Sequence, residues 1–254
     1  MSGGEAFRLV ATGEEGRFRI EIPAASPLFA GHFPGQPILP GVAHLAIVER
    51  ALGIPLGALR AFRVRQPVLP GELLDLSLGA PDPEGWLRFE IRRNEAVVAG
   101  GSVQTSPGGG GAEPETSPVP GTGELSVLLP HSPPALLVRS VLAATEEEID
   151  CAAEIPPDHP LVVAGRAPAC LAVEAAAQGA AVLEALARRD DDPGPRVGYL
   201  VGIREARFAT PHLPAGRAFR VTARLAGSAP PLSIYEIAAG GGVTATLSTF
   251  IRGG

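Results

Sequence analysis

Two kinds of side chain in this sequence could exchange protons with a substrate near neutral pH: five histidines, and glutamates set among apolar neighbours. His32 sits in FAGHFPGQPILPGV (Phe29 to Val42), a stretch so rich in glycine and proline that it must turn. Glu174 sits in LAVEAAAQ, among alanine, leucine and valine, with Gln178 as its polar neighbour one helical turn on. A neutral imidazole accepts a proton and a protonated carboxyl donates one, the two halves of general acid–base catalysis. A carboxylate buried without a partner is costly, so Glu174 must either pair or hold its proton.

The other candidates carry plainer readings. His131, in LLPHSPP, reads as structural, and His212, at a strand start, as solvated. His44 falls one helical turn from Pro40 and suits either tunnel lining or packing, whereas Glu49 points to a different side of its helix. Cys151 and Cys170 are too few for a disulfide framework and form no C-x-x-C pair, so free thiols are expected. No His-rich or Cys-rich cluster has ligand spacing, and no metal is expected.

The elements that must position these groups come in two echoing halves. Residues 106–124, SPGGGGAEPETSPVPGTGE, lack apolar periodicity and read as a flexible linker between halves 1–105 and 125–254. The glycine run is no phosphate loop, since no GK[ST] follows it. Each half has a proline-led apolar helix, at Pro40-Gly41-Val42 and at Pro168-Ala169-Cys170. Each then has an arginine and a Pro-x-x-Pro step into an alternating strand, RVRQPVLPGELLDLSL (Arg63 to Leu78) and RFATPHLPAGRAFRVTARL (Arg207 to Leu225). The helix of residues 168–188 is apolar nearly all round and must be buried. Antiparallel strands around one central helix in each half make the fold class α+β.

Composition narrows the function. The net charge is -6, all 21 basic residues are arginine, and a broad nucleic-acid surface is excluded. An acidic partner would need a local patch. Arg60, Arg63 and Arg65, and again Arg204, Arg207 and Arg217, form either such a patch or a solvated sheet edge. No apolar run is long enough to span a membrane without polar interruption and no signal sequence is evident, so a cytoplasmic location is expected.

GHFPG followed by LPGV resembles the active-site stretch of the bacterial 3-hydroxyacyl-acyl carrier protein dehydratases of fatty-acid synthesis. LLPHSPPALLV (Leu128 to Val138), APACLAVEAAAQ (Ala167 to Gln178) and GIREARFATPHLP (Gly202 to Pro214) resemble the same family in the second half. The pairing is similar to the two partner dehydratases of aryl-polyene pathways joined in one chain. The resemblance implies a tandem double hotdog, two sheets each wrapped round a helix and paired as a pseudo-dimer. It also implies a lyase with no bound cofactor, whose substrate arrives on the phosphopantetheine of an acyl carrier protein, and which can assemble further as a homo-oligomer.

In that family a histidine of GHFPG works with a carboxylate fourteen residues on, supplied by the other protomer. His32 matches the histidine, but position 46 is alanine, while Glu174 matches the carboxylate in a half whose nearest histidine is His159. The resemblance therefore implies one composite site of His32 and Glu174, and a dead one with His159 opposite Ala46. It assigns the oxyanion-binding amide to Gly41, and Phe33, Val42 and Gln178 to the substrate. A thioesterase on the same fold, or a non-catalytic acyl-carrier-binding protein, remains an alternative.

Overall fold

The computed structural model describes residues 5–106, 125, 128–188 and 197–251. The first half contributes β1 (Arg8–Ala11), β2 (Arg17–Glu21), α1 (Gly41–Leu52), β3 (Leu56–Val64), β4 (Leu73–Leu78), β5 (Leu87–Arg93) and β6 (Ala96–Thr105). The second contributes β7 (Val138–Ala144), β8 (Glu148–Glu154), β9 (Arg166–Pro168), α2 (Cys170–Ala187), β10 (Gly198–Phe208), β11 (His212–Pro214), β12 (Ala218–Ala229), β13 (Leu232–Ala239) and β14 (Val243–Ile251). All of the expected linker except Ser106 lies outside the described residues.

The strands obey period-two patterning. In β4 Leu74 and Leu76 are buried between exposed Leu73 and Asp75, and in β12 Phe219, Val221 and Ala223 point inward while Arg220 and Arg224 point out. Helix α1 stops where Gly53 turns left-handed at φ 65 and returns its N–H to Glu49 O. Helix α2 can lie close on its sheet because its inner positions are small. A Cβ added to Gly179 would meet Cys151 Sγ and Val221 Cγ2 at 3.8 Å, ordinary van der Waals contact.

Twelve strands form one antiparallel sheet in the order β1-β2-β4-β5-β6-β3-β10-β14-β13-β12-β8-β7. Its centre is the seam between β3 and β10, registered Gly202↔Arg63 to Arg207↔Ala58. Reading outward, β6, β5, β4, β2 and β1 on one side answer β14, β13, β12, β8 and β7 on the other. That correspondence is a pseudo-twofold axis through the seam, the tandem double hotdog expected of the sequence. The helix starts meet near the same axis, where the Cys170 thiol points at Val42 O over 3.8 Å. α2 runs 18 residues against 12 for α1, which accounts for part of the second half's extra length. Among the described residues α2 is also the helix long and apolar enough to cross a membrane, and it lies buried in the core.

Candidate active site

His32 is fixed by its own turn. Its backbone N–H donates to Phe29 O at 3.2 Å, its carbonyl accepts from Ile38 N at 3.0 Å, and its ring Nδ1 lies 3.1 Å from Ile38 O. A carbonyl only accepts, so Nδ1 carries the ring proton and Nε2 keeps its lone pair. Burial pushes the His32 pKa below the ordinary imidazole value, with the charge of Glu174 pulling the other way. The ring stacks on Phe33 at 4.2 Å between centroids.

Glu174 projects from the second turn of α2 and is buried, as is Gln178 one turn further on. Gln178 is committed at both ends. Its Nε2 donates to Ala135 O at 2.8 Å and to Glu174 Oε1 at 3.2 Å, while its Oε1 accepts from Leu137 N at 2.8 Å and Val138 N at 3.4 Å. The resemblance assigns Gln178 to the substrate; its hydrogen bonds tie Glu174 to the strand-leading segment of the same half.

A cavity of about 400 Å³ is lined by His32 and Gly41 from the first half and by His131, Glu174 and Gln178 from the second. It continues along α2 past Ala177 and Ala181 to Glu184, and Arg65 is the one arginine among its lining residues. Gly41 opens α1, so its N–H has no intrahelical acceptor. Ala169, its counterpart at the start of the other helix, donates to Pro211 O at 3.2 Å. Gly41 lines this cavity and neither Ala169 nor Cys170 does, so α1 is the helix start that faces it.

Other candidates fall elsewhere. Phe33 and Val42 are not among the residues lining the cavity of about 400 Å³; Val42 is fully buried between the helix starts and lines a narrow cleft. His44 is also fully buried, donates from Nδ1 to Gly41 O at 3.0 Å, and has its pKa lowered to about 4 by burial. Glu49 accepts from Leu56 N at 3.1 Å and lines a second cavity of about 530 Å³ with Ala46, Arg166 and His212. His159, expected opposite Ala46, instead borders a narrow cleft that also touches His32 and Glu174. Its turn is closed by Leu161 N donating to Nδ1 at 3.2 Å. Both cysteines are free and buried, and burial raises the Cys151 thiol to about 12. Of the basic clusters, Arg60 covers Trp86 at 4.1 Å and pairs with Asp82 at 3.5 Å.

His131, read from the sequence as structural, lines the same cavity as His32 and Glu174. It stands in the site, with Nε2 3.7 Å from Glu174 Oε1 and its ring 5.3 Å from that of His32. The three groups put one donor atom each within 4.8 Å of one another, a cluster drawn from three separate segments that no spacing rule exposes.

Residues 123–250 match the family described as ApeP-like, ApeP dehydratase, and residues 10–102 match ApeI-like, ApeI dehydratase. The chain is 40% identical to the 3-hydroxyacyl-[acyl-carrier-protein] dehydratase FabZ of Chlamydia trachomatis over 20% of this chain and 42% of that protein. It is 39% identical to FabZ of Haemophilus influenzae over 22% of this chain and 48% of that one. The chain thus spans less than half the length of the curated relatives it matches. A trans-AT PKS dehydratase domain from Brevibacillus brevis superposes with a TM-score of 0.69 at 14% identity, covering 96% of both chains. The dehydratase domain of RzxB from Pseudomonas fluorescens gives 0.67 at 15% identity, covering 95% of this chain and 96% of that one. At such identities these two establish the fold.

Proposed function

The chain belongs to the ApeP-like dehydratase family, and from the cavity shared by His32 and Glu174 we propose that it converts a 3-hydroxyacyl thioester to the trans-2-enoyl thioester and water. Residues 1–105 supply the base and the oxyanion donor, residues 125–254 supply the acid, and 106–124 join them. The substrate arrives on the phosphopantetheine arm of an acyl carrier protein, and the reaction needs no bound cofactor. The single observation that carries this reading is that each half lacks what the other provides, and both groups line one cavity.

The chemistry follows from the tautomer. His32 Nε2, with its lone pair free, takes the proton from C2 of the substrate. Charge that develops on the thioester oxygen is met by the Gly41 N–H at the positive end of α1. Glu174 gives its proton to the C3 hydroxyl, which leaves as water as the C2–C3 double bond forms. The cycle closes when the proton on His32 returns to the Glu174 carboxylate through solvent in the cavity.

The test is incubation with a carrier-bound 3-hydroxyacyl thioester. Conjugated alkene absorbance without free thiol supports the reading. Thiol release without alkene means hydrolysis, and neither signal means a non-catalytic carrier-binding protein; each of those results sinks it.

A further inference from the structure

His131 belongs to neither half-site that the sequence defines, yet it faces Glu174 from across the cavity. Its side chain is only 7% exposed, its ring meets Phe33 edge-on at 4.8 Å, and its Nδ1 is buried with no hydrogen-bond partner among the described residues. Burial, then the neighbouring charge of His32, lowers its pKa to about 3, so the ring is neutral and carries a single N–H. Placing that proton on Nδ1 would orphan a buried donor and turn the Nε2 lone pair toward the lone pairs of Oε1. Placing it on Nε2 leaves only an acceptor unpaired, the cheaper defect.

We propose, building on the dehydratase reading above, that His131 is a positioning residue whose Nε2–H, together with the Gln178 amide, holds Glu174 Oε1 and so leaves Oε2 to carry the proton given to the substrate. Two donors converge on one oxygen: Gln178 Nε2 at 3.2 Å and His131 Nε2 at 3.7 Å. The second separation is just beyond hydrogen-bond length in the unliganded site, and such contacts tighten when substrate excludes water. With Oε1 pinned, the carboxyl cannot rotate its acidic proton away from the leaving hydroxyl. The same two N–H groups stabilise the carboxylate left behind, so their effect is larger in the transition state than in the ground state.

The backbone explains why His131 can hold this place. Ser132 N–H donates to Gly31 O at 3.1 Å, so the residues flanking the two histidines are bonded to each other across the halves.

Kinetics of the full chain test the proposal. His131→Ala is expected to lower kcat roughly 10- to 100-fold, the value of one hydrogen bond to a charged group, with KM changed less than about threefold. His131→Gln, which can offer an N–H from a similar position, is expected to recover most of the loss. Wild-type kcat in His131→Ala, or a loss confined to KM that glutamine fails to repair, overturns the proposal. Because alanine could impair folding, nitrogen NMR of the unaltered protein gives a second reading. The expected signal is a neutral Nε2–H ring at pH 6, and an Nδ1–H or doubly protonated ring overturns it. If His32→Ala and Glu174→Gln keep full turnover, the dehydratase reading itself has failed. If they are dead while His131→Ala is fully active, only the role of His131 has.

Discussion

Gly31 and Ser132 touch backbone to backbone across the pseudo-twofold. The Ser132 N–H donates to Gly31 O at 3.1 Å, Gly31 adopts φ +77, and a Cβ placed on it would lie 1.9 Å from Ser132 O. The first glycine of GHFPG is therefore an inter-half contact as well as a turn residue, and it places His32 beside His131.

Gly31→Ala should separate the two segments. Left-handed backbone costs an alanine about 1–2 kcal/mol, and the overlap with Ser132 O adds to it, for a total of at least ~2 kcal/mol. Urea unfolding should show that loss, and turnover should fall more than about 100-fold because the base moves relative to the acid. Wild-type turnover in this variant would show that the backbone contact does not set the site.

The composite site makes a sharper demand. His32→Ala and Glu174→Ala should each lower turnover by about 10²- to 10⁴-fold, the range of one general acid or base. His159→Ala should stay within about twofold of wild type. Because both groups belong to one chain, mixing the two dead variants should restore nothing. Recovery on mixing would mean that the working site lies between chains.

Much of this arrangement is legible in the sequence. The alanine at position 46 and the glutamate at 174 are complementary losses, and they foretell that neither half has a complete site. The helix starts at Pro40 and Pro168 fix the pseudo-symmetry that brings Val42 against Cys170. The seam was not legible, since alternation marks β3 and β10 as strands without saying that their edges pair. Phe33 and Val42 are assigned to the substrate by the resemblance, as members of GHFPG and LPGV. Successive residues of a helix point about 100° apart, so Val42 faces the narrow cleft that touches His32 and Glu174 and not the cavity that Gly41 lines. His131 was read as structural because nothing in LLPHSPP says that this loop returns to the partner half's turn.

Gln178 is a structural keystone as much as a neighbour of the acid. Gln178→Leu would strand Ala135 O, Leu137 N and Val138 N without their side-chain partner and release Glu174 Oε1. At about 1–3 kcal/mol for each buried unpaired group, the loss should reach at least ~3 kcal/mol by urea unfolding, accompanied by a fall in kcat. A variant as stable as wild type would mean that water replaces the amide.

Acid should affect activity through His32, and stability through each histidine whose pKa burial lowers: His32, His44, His131 and His159. The His32 base must be neutral, and since burial lowers its pKa, turnover should persist at pH 6.5 and fail only below it. His44 contributes to stability: unfolded, it takes up a proton near 6.5, but folded it does so only near 4. Between those values the unfolded chain binds more protons, so stability is complete above pH 6.5 and is lost as pH falls toward 4, by up to about 3 kcal/mol. Thermal unfolding from pH 7 to 4.5 should show Tm falling across this window. His44→Gln, which keeps a polar side chain at the Gly41 carbonyl, should lower Tm at pH 7 but flatten the slope while leaving the acid limb of turnover in place. An unchanged slope in that variant would remove His44 from the groups that make stability acid-sensitive.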